Sequence, residues 1–192
     1  MKRTFITFLL LTQMVLCISA QDAESLNSKS IKVSNKENMI KRKIDITPVQ
    51  KFDLDRYLGR WYEIARFDHR FERGLSEVSA EYTAQNNGMI KVLNSGFKAK
   101  IGKRSQIVGR AKTTDVAGVL RVSFFWIFYS DYRVLALGDN YEWALVGSGD
   151  TGKYLWILSR TEVLPKETVE KIIADAERRG YDTKKLLFSD QQ

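Results

Sequence analysis

The chain has 192 residues, a formal net charge of +8, one histidine and one cysteine. A single cysteine leaves no internal disulfide or cysteine metal site, and a single histidine leaves no histidine pair for a metal. The basic residues are scattered along the chain, which disfavours nucleic-acid binding.

The N-terminus has the three parts of a secretory signal. Lys2 and Arg3 are followed by the apolar run 5–16 and by the small residues Ser19-Ala20. This arrangement predicts a signal peptide over 1–20, cleaved after Ala20, because the apolar run is too short for a membrane span.

Cys17 lies inside the predicted signal, so the exported protein is either soluble or anchored through an acyl group on this residue. A lipid anchor would need a small residue before the cysteine, and Leu16 stands there instead. The sequence therefore favours a soluble form over an anchored one.

Residues 21–46 are predicted to form a polar, basic leader before the folded domain. The stretch 29–43 is rich in Ser, Asn and Lys and has few large apolar residues. Such a composition is typical of a flexible spacer. A weak electrostatic tether to anionic lipid headgroups is the alternative.

Eight short runs of aromatic and β-branched residues follow, with turn residues such as 85–88 and 149–152 between them. The predicted strands are 61–66, 78–83, 90–94, 107–112, 119–125, 133–137, 143–147 and 154–159. This succession predicts an all-β, eight-stranded, up-and-down antiparallel barrel, which has room for one small ligand. A two-sheet sandwich has the same strand spacing.

The hydrophobic period then changes to that of a helix. Pro165 suits a first helical turn, and Arg178-Arg179-Gly180 forms a stop signal. Between them an apolar stripe recurs at helical spacing, consisting of Val169, Ile172, Ile173 and Ala176. One helix packed outside the barrel, followed by a short strand within 184–188, is therefore expected.

The segment 58–66, Leu-Gly-Arg-Trp-Tyr-Glu-Ile-Ala-Arg, resembles the first signature of the lipocalins. Its surroundings, 48–74, are similar to the bacterial, apolipoprotein D-like group of that family. The third signature is matched by 155–160, whereas the second is only partly met, with Asp139 present and a tyrosine one place late at Tyr141.

The resemblance covers roughly 48–188 and implies a lipocalin domain over 47–192. It also implies structural roles for Gly59, Trp61, Asp139 and Arg160. Trp61 and Arg160 are expected to meet at the closed end, where a guanidinium over an indole contributes on the order of 1 kcal/mol.

The ligand site is expected inside the barrel, on the side chains that strand alternation directs inward from Trp61. The predicted ligand-binding residues are Glu63, Ala65, Val78, Ala80, Tyr82, Val92, Asn94, Phe124, Trp126, Tyr154, Trp156 and Leu158. The same residues can instead form a fully packed core. Glu63 either serves a polar group of the ligand or is tied to Tyr82 or another hydroxyl.

The loop 67–74 is expected to arch over the open end, with a rim formed by Phe67, Arg70, Phe71, Arg73 and Phe128. Its arginines either meet an anionic headgroup or neutralise Asp68 and Glu72. The aromatic run 124–129 is expected to leave an exposed apolar patch for a homodimer or a peripheral membrane contact, unless a neighbouring loop buries it.

No enzymatic motif is present: there is no Gly-x-Ser-x-Gly elbow, P-loop or dinucleotide fingerprint, and no cofactor is expected. By resemblance, the predicted function is binding, and transport or storage, of a fatty acid or lysophospholipid in the periplasm or outer membrane. A ligand-free structural or adhesive envelope protein is the alternative.

Overall fold

The computed structural model describes residues 43–149 and 152–189. The predicted signal peptide, Cys17 and the predicted leader up to residue 42 lie outside the described residues, as do residues 150 and 151 of one predicted turn. None of the described helices is long and apolar enough to cross a membrane.

Eight antiparallel strands wind up and down into a closed barrel, which confirms the predicted fold. The strands are β1 Gly59–Phe67, β2 Ser76–Ala84, β3 Ile90–Lys98, β4 Lys103–Thr113, β5 Val119–Phe125, β6 Phe128–Leu137, β7 Trp143–Ser148 and β8 Tyr154–Ser159. Each strand pairs with the next, and β1 pairs with both β8 and β2. This closure leaves no strand edge unpaired along the barrel floor.

A short strand β9, Leu186–Phe188, pairs with the upper part of β1 at Ala65–Phe67. Among the described residues, two helices accompany the sheet: α1, Leu54–Tyr57, precedes β1, and α2, Lys166–Arg178, follows β8. Short 3-10 turns lie at Ala99–Ile101 and Thr183–Lys185. The predicted helix and the predicted last strand are thus both present.

The apolar side chains form two separate clusters, because each strand buries one face inside the barrel and some strands bury the other face under α2. Ile172 and Ala176 of α2 are buried in the outer cluster, and Val169 and Ile173 pack at its border. The inner cluster fills the lower barrel around Trp61. The stripe predicted on α2 is therefore the face that contacts the barrel wall.

The alternation of strand directions gives the barrel two different ends. The open-end loops are 68–75, 99–102, 126–127 and 149–153, and the closed-end loops are 85–89, 114–118 and 138–142. Helix α1 lies just before β1 begins at the closed end. Asp53 caps it, since Asp53 Oδ1 accepts hydrogen bonds from the amides of Asp55 (3.0 Å) and Arg56 (3.3 Å).

Candidate functional site

The closed end is plugged by Trp61, which is fully buried. The Trp61 indole N–H donates to the carbonyl of Tyr57 at 2.8 Å, and the Arg160 guanidinium lies 3.8 Å from the centre of a Trp61 ring. Arg160 also donates to the carbonyls of Arg60 (2.8 Å) and Arg56 (2.7 Å). These contacts join the two ends of the barrel sequence and close its floor.

Gly59 allows this close approach. Its φ is +90°, a region that side chains with a Cβ rarely adopt, and an added Cβ would lie 3.5 Å from Arg160 Nη1. Asp139 lies on the 138–142 loop, where its carbonyl accepts from Arg56 at 3.2 Å. On the same loop, the Tyr141 hydroxyl accepts from the amide of Asp53 at 2.8 Å.

Three tyrosine hydroxyls meet in the lower barrel. The Tyr57 and Tyr132 hydroxyl oxygens are 2.6 Å apart, and the Tyr82 hydroxyl donates to that of Tyr132 at 3.1 Å. Burial raises the pKa of Tyr82 to about 12 and those of Tyr57 and Tyr132 well above the usual value. The three hydroxyls are therefore uncharged and form hydrogen bonds with one another above Trp61. We call them the tyrosine layer.

The upper part of the barrel differs from the floor, because its inward side chains keep contact with solvent. The ladder between β3 and β4 has no register shift, so Ile107, which pairs with Asn94, points to the same side as the buried Ala111. Ile107 therefore faces inward, and yet it is 41% exposed. Half-buried inward residues surround it: Ala80, Asn94, Val122, Phe124, Tyr132 and Trp156. We call this inward, mostly apolar lining above the tyrosine layer the cup.

Most of the predicted ligand-binding residues face the barrel interior. Ala80, Tyr82, Val92, Phe124, Trp156 and Leu158 belong to the inner cluster. Val78 lies against Gly96, and the Phe124 ring lies over Gly109, where an added Cβ would be 2.6 Å from it. The Tyr154 ring stacks on that of Trp156 with centroids 5.8 Å apart.

The expectation for Ala65 is wrong. A β-bulge interrupts β1, where Glu63 pairs with Leu158 but Ala65 already pairs with Ile157. The extra residue reverses the alternation, so Ala65 lies in the outer cluster with α2. Arg66 takes the inward position instead, opposite Trp156.

The expectation for Trp126 is also wrong. Trp126 has φ of +45° and occupies the two-residue turn between β5 and β6, where it is 83% exposed. Strand β5 ends at Phe125, one residue before Trp126, and the turn that follows contains no glycine, proline or asparagine that would mark it in the sequence.

The predicted rim residues divide into two groups. Arg70, Phe71, Arg73 and Phe128 are exposed at the open end. Arg73 is bound to Asp68 through two hydrogen bonds of 3.1 and 2.5 Å, and Arg70 stacks on the Phe71 ring at 4.8 Å. Phe67 is not at the rim, because it pairs with β9 and packs in the outer cluster near Tyr181.

Beside the cup lies a buried ionic cluster, formed by Glu63, Arg66, His69 and Glu72. Arg66 Nη1 donates to Glu63 Oε1 at 2.8 Å, and His69 Nε2 lies 3.0 Å from Glu72 Oε2. The Trp156 indole donates to Glu72 Oε2 at 3.3 Å, and Ser189 donates to Glu63. Glu63 is thus tied to Arg66 and Ser189 rather than to Tyr82.

The carboxyls of Glu63 and Glu72 share this cluster, and the negative charge of one disfavours ionisation of the other. Burial and the neighbouring Glu72 raise the pKa of Glu63 to about 8. Burial of Glu72 acts to raise its pKa, but hydrogen bonds from His69 and Glu63 outweigh this effect and lower the pKa below its usual value. Near neutral pH, Glu63 therefore keeps its proton while Glu72 is ionised.

Replacing Glu63 with glutamine is expected to remove a pH dependence of stability. Unfolded Glu63 loses its proton near pH 4.5, whereas the folded residue holds it to about 8. The free energy of unfolding should therefore fall as pH rises through this window, by at most about 1.4 kcal/mol per pH unit. Urea unfolding at a series of pH values measures this slope.

The matched control is Glu81→Gln, which removes a surface carboxyl paired with Arg60 at 3.0 Å. This variant should keep the wild-type slope, and Glu63→Gln should flatten it. Identical slopes in wild type and Glu63→Gln would contradict the assignment of a buried proton to Glu63.

Sequence reasoning missed Arg66, His69, Glu72 and Tyr132. The i, i+3 spacings of Glu63 with Arg66 and of His69 with Glu72 were the available signal, but the same spacings occur on charged surface loops. Across residues 43–149 and 152–189, no group of three or more His, Cys, Asp or Glu side chains is arranged to hold a metal.

Comparison with known proteins adds to this geometry. The lipocalin-like domain family matches residues 52–191. The chain is similar to outer membrane lipoprotein Blc of Vibrio cholerae, with 45% identity over 152 residues that cover 77% of this chain and 87% of that protein. It is also similar to apolipoprotein D of Macaca fascicularis, with 39% identity covering 76% and 80% of the two chains.

Among solved structures, the fold is similar to that of insecticyanin from the tobacco hornworm, Manduca sexta. The TM-score is 0.63 at 24% sequence identity, and the match covers 76% of this chain and 84% of that one. This likeness concerns the fold alone.

Proposed function

The chain belongs to the lipocalin family, and from that premise we propose that its cup binds the acyl chain of one fatty acid or lysophospholipid. The observation that supports this most is the partial exposure of inward apolar side chains, above all Ile107 at 41%. Apolar surface that remains exposed to water at the mouth of the barrel is stabilised by burial against a ligand, at about 0.8 kcal/mol per methylene.

The filled barrel floor favours a ligand with a single acyl chain. Below the tyrosine layer the interior is filled by the protein's own side chains, including Trp61, Ile90 and Leu120, each at most 1% exposed. An eight-stranded barrel is wide enough for one small ligand. We infer that one alkyl tail enters from the open end and stops above Tyr132 and Tyr82.

The polar group of the ligand would then lie at the open end. Arg70 is exposed there, and the ammonium of Lys153 is 5.4 Å from the Tyr154 ring centre. Such cations suit a carboxylate or a phosphate. Arg73 is less suited to this role, because Asp68 already occupies its guanidinium.

We place this binding in the bacterial cell envelope, as transport or storage without catalysis. The predicted signal peptide and the similarity to an outer membrane lipoprotein support the location.

Titration of the purified protein with a fluorescent fatty acid tests the proposal. We expect saturable binding of one probe per chain, displaced by unlabelled lysophospholipid of similar chain length. Mass spectrometry of organic extracts from protein isolated from its native envelope should detect a single-chain lipid. Absence of saturable binding would instead support a ligand-free structural or adhesive protein.

A further inference from the structure

We propose that the open end of the barrel docks directly onto an anionic phospholipid bilayer. The contact would be made by the apolar tip, defined as Phe125, Trp126, Ile127 and Phe128, and by the cationic loop that follows β3. This surface is distinct from the cup and does not require that the cup bind a ligand.

The apolar tip is exposed over four consecutive residues. Phe125, Trp126, Ile127 and Phe128 are 59%, 83%, 65% and 76% exposed. Two further apolar side chains belong to other open-end loops: Phe71, 55% exposed with its ring 6.4 Å from that of Phe125, and Ile101, 61% exposed. Contiguous exposed apolar surface of this kind marks an interaction site.

The tip is held in its exposed position by the strands below it. Phe125 pairs with Phe128 across the turn, and Ser123 Oγ donates to the carbonyl of Trp126 at 3.3 Å. Arg110 also donates to this carbonyl. These contacts fix the turn before any partner binds, so little ordering is needed when the tip is buried.

A cationic loop also lies at the open end. Residues 98–104 contain the exposed lysines Lys98, Lys100 and Lys103 without an acidic residue, whereas Arg104 is paired with Glu77 on β2. By contrast, the closed-end loops contain Asp115, Asp139 and Glu142 and no lysine or arginine. The loop after β3 therefore makes the open end more cationic than the closed-end loops, although Arg56, Arg60 and Arg160 lie near the barrel floor.

This combination fits a bilayer better than a second copy of the chain. Tryptophan is favoured at the boundary between headgroups and acyl chains, and lysines near an anionic surface each strengthen binding about fivefold. A symmetric dimer through the same end would bring two copies of the cationic loop into one interface, where like charges repel. Docked on a membrane, the cup would open toward the bilayer.

Co-sedimentation with vesicles tests the proposal. Every sample begins at Gln21, after the predicted signal peptide, so that neither the apolar run 5–16 nor an acyl group on Cys17 can contribute to binding. Vesicles of phosphatidylcholine with phosphatidylglycerol are compared with vesicles of phosphatidylcholine alone. We expect stronger binding to the anionic vesicles, and weaker binding as the salt concentration rises.

Two sets of variants separate the apolar and the charged contributions. Trp126→Ser with Ile127→Ser should weaken vesicle binding about tenfold or more. Val116→Ser with Val163→Ser is the matched control, since both valines are exposed (53% and 76%) away from the open end. Changing Lys98, Lys100 and Lys103 to Gln should weaken anionic binding about tenfold or more. The same change at the exposed lysines Lys51, Lys166 and Lys171, which lie away from the open-end loops, should not.

Three results would overturn the proposal. The first is absence of binding to anionic vesicles, and the second is an equal loss in the Val116 and Val163 control. The third is a dimer in solution that Trp126→Ser with Ile127→Ser converts to a monomer, because the tip would then serve another copy of the chain.

Discussion

Replacing Ala80 with tryptophan should abolish measurable binding of a fluorescent fatty acid. Ala80 faces inward between Trp61 and Asn94, and it is only half-buried, so the indole would project into the cup. Displacing four methylenes of an acyl chain forfeits about 3 kcal/mol, which is on the order of a hundredfold in affinity. Titration of the variant measures this loss.

The stability of Ala80→Trp should change by less than about 1 kcal/mol, since Ala80 is only half-buried and the proposed cup has room for the added ring. Thr83→Trp is the matched control, because Thr83 lies on the same strand and is exposed on the outer face. The control should bind the probe as the wild type does. Undiminished binding by Ala80→Trp would place the ligand outside the cup.

Replacing Trp61 with alanine should cost about 3–5 kcal/mol of the free energy of unfolding, a large part of the stability of a typical domain. The indole is fully buried, and its removal leaves a cavity beside Tyr57 and strips Arg160 of its ring contact at 3.8 Å. Trp61→Phe should lose less stability, because it removes mainly the hydrogen bond to the Tyr57 carbonyl. Urea unfolding measures both.

The same substitution at another tryptophan is the control. Trp126→Ala removes a side chain that is 83% exposed, and its effect should stay within about 0.5 kcal/mol. A similar loss at both positions would mean that Trp61 does not close the barrel floor.

Strand alternation and turn residues predicted the architecture, because both are local properties of the sequence. The strand predicted over 154–159 has the observed bounds, and the apolar stripe on 169–176 is the face of α2 that meets the barrel wall. Most of the inward-facing residues were predicted as well, because the alternation of side chains in a regular strand assigns every residue to a face once one residue is assigned.

The expectations that failed depend on departures from regular geometry. The bulge after Glu63 carries Ala65 to the outer face and turns Arg66 inward, and no residue type in 63–65 announces it. The turn at Trp126 is similarly unmarked. In both places the backbone conformation is determined by packing against neighbouring strands, and the sequence of the segment alone does not specify it.

The buried ionic cluster could not be predicted for a different reason. His69 and Glu72 belong to a loop, and sequence alone does not show that this loop folds back onto Trp156. Burying His69 and Glu72 is favourable only because they form a cluster with Arg66 and Glu63. Each of these residue types alone is typical of a solvated surface, so none of them signals burial in the sequence.

The most direct measurement is the quenching of tryptophan fluorescence by a brominated fatty acid in wild type, Trp156→Phe and Trp126→Phe. If the acyl chain lies in the cup, quenching should saturate at one acid per chain and should largely disappear in Trp156→Phe while persisting in Trp126→Phe. Quenching that does not saturate, or that depends on Trp126 instead of Trp156, would show that the barrel interior is not the binding site.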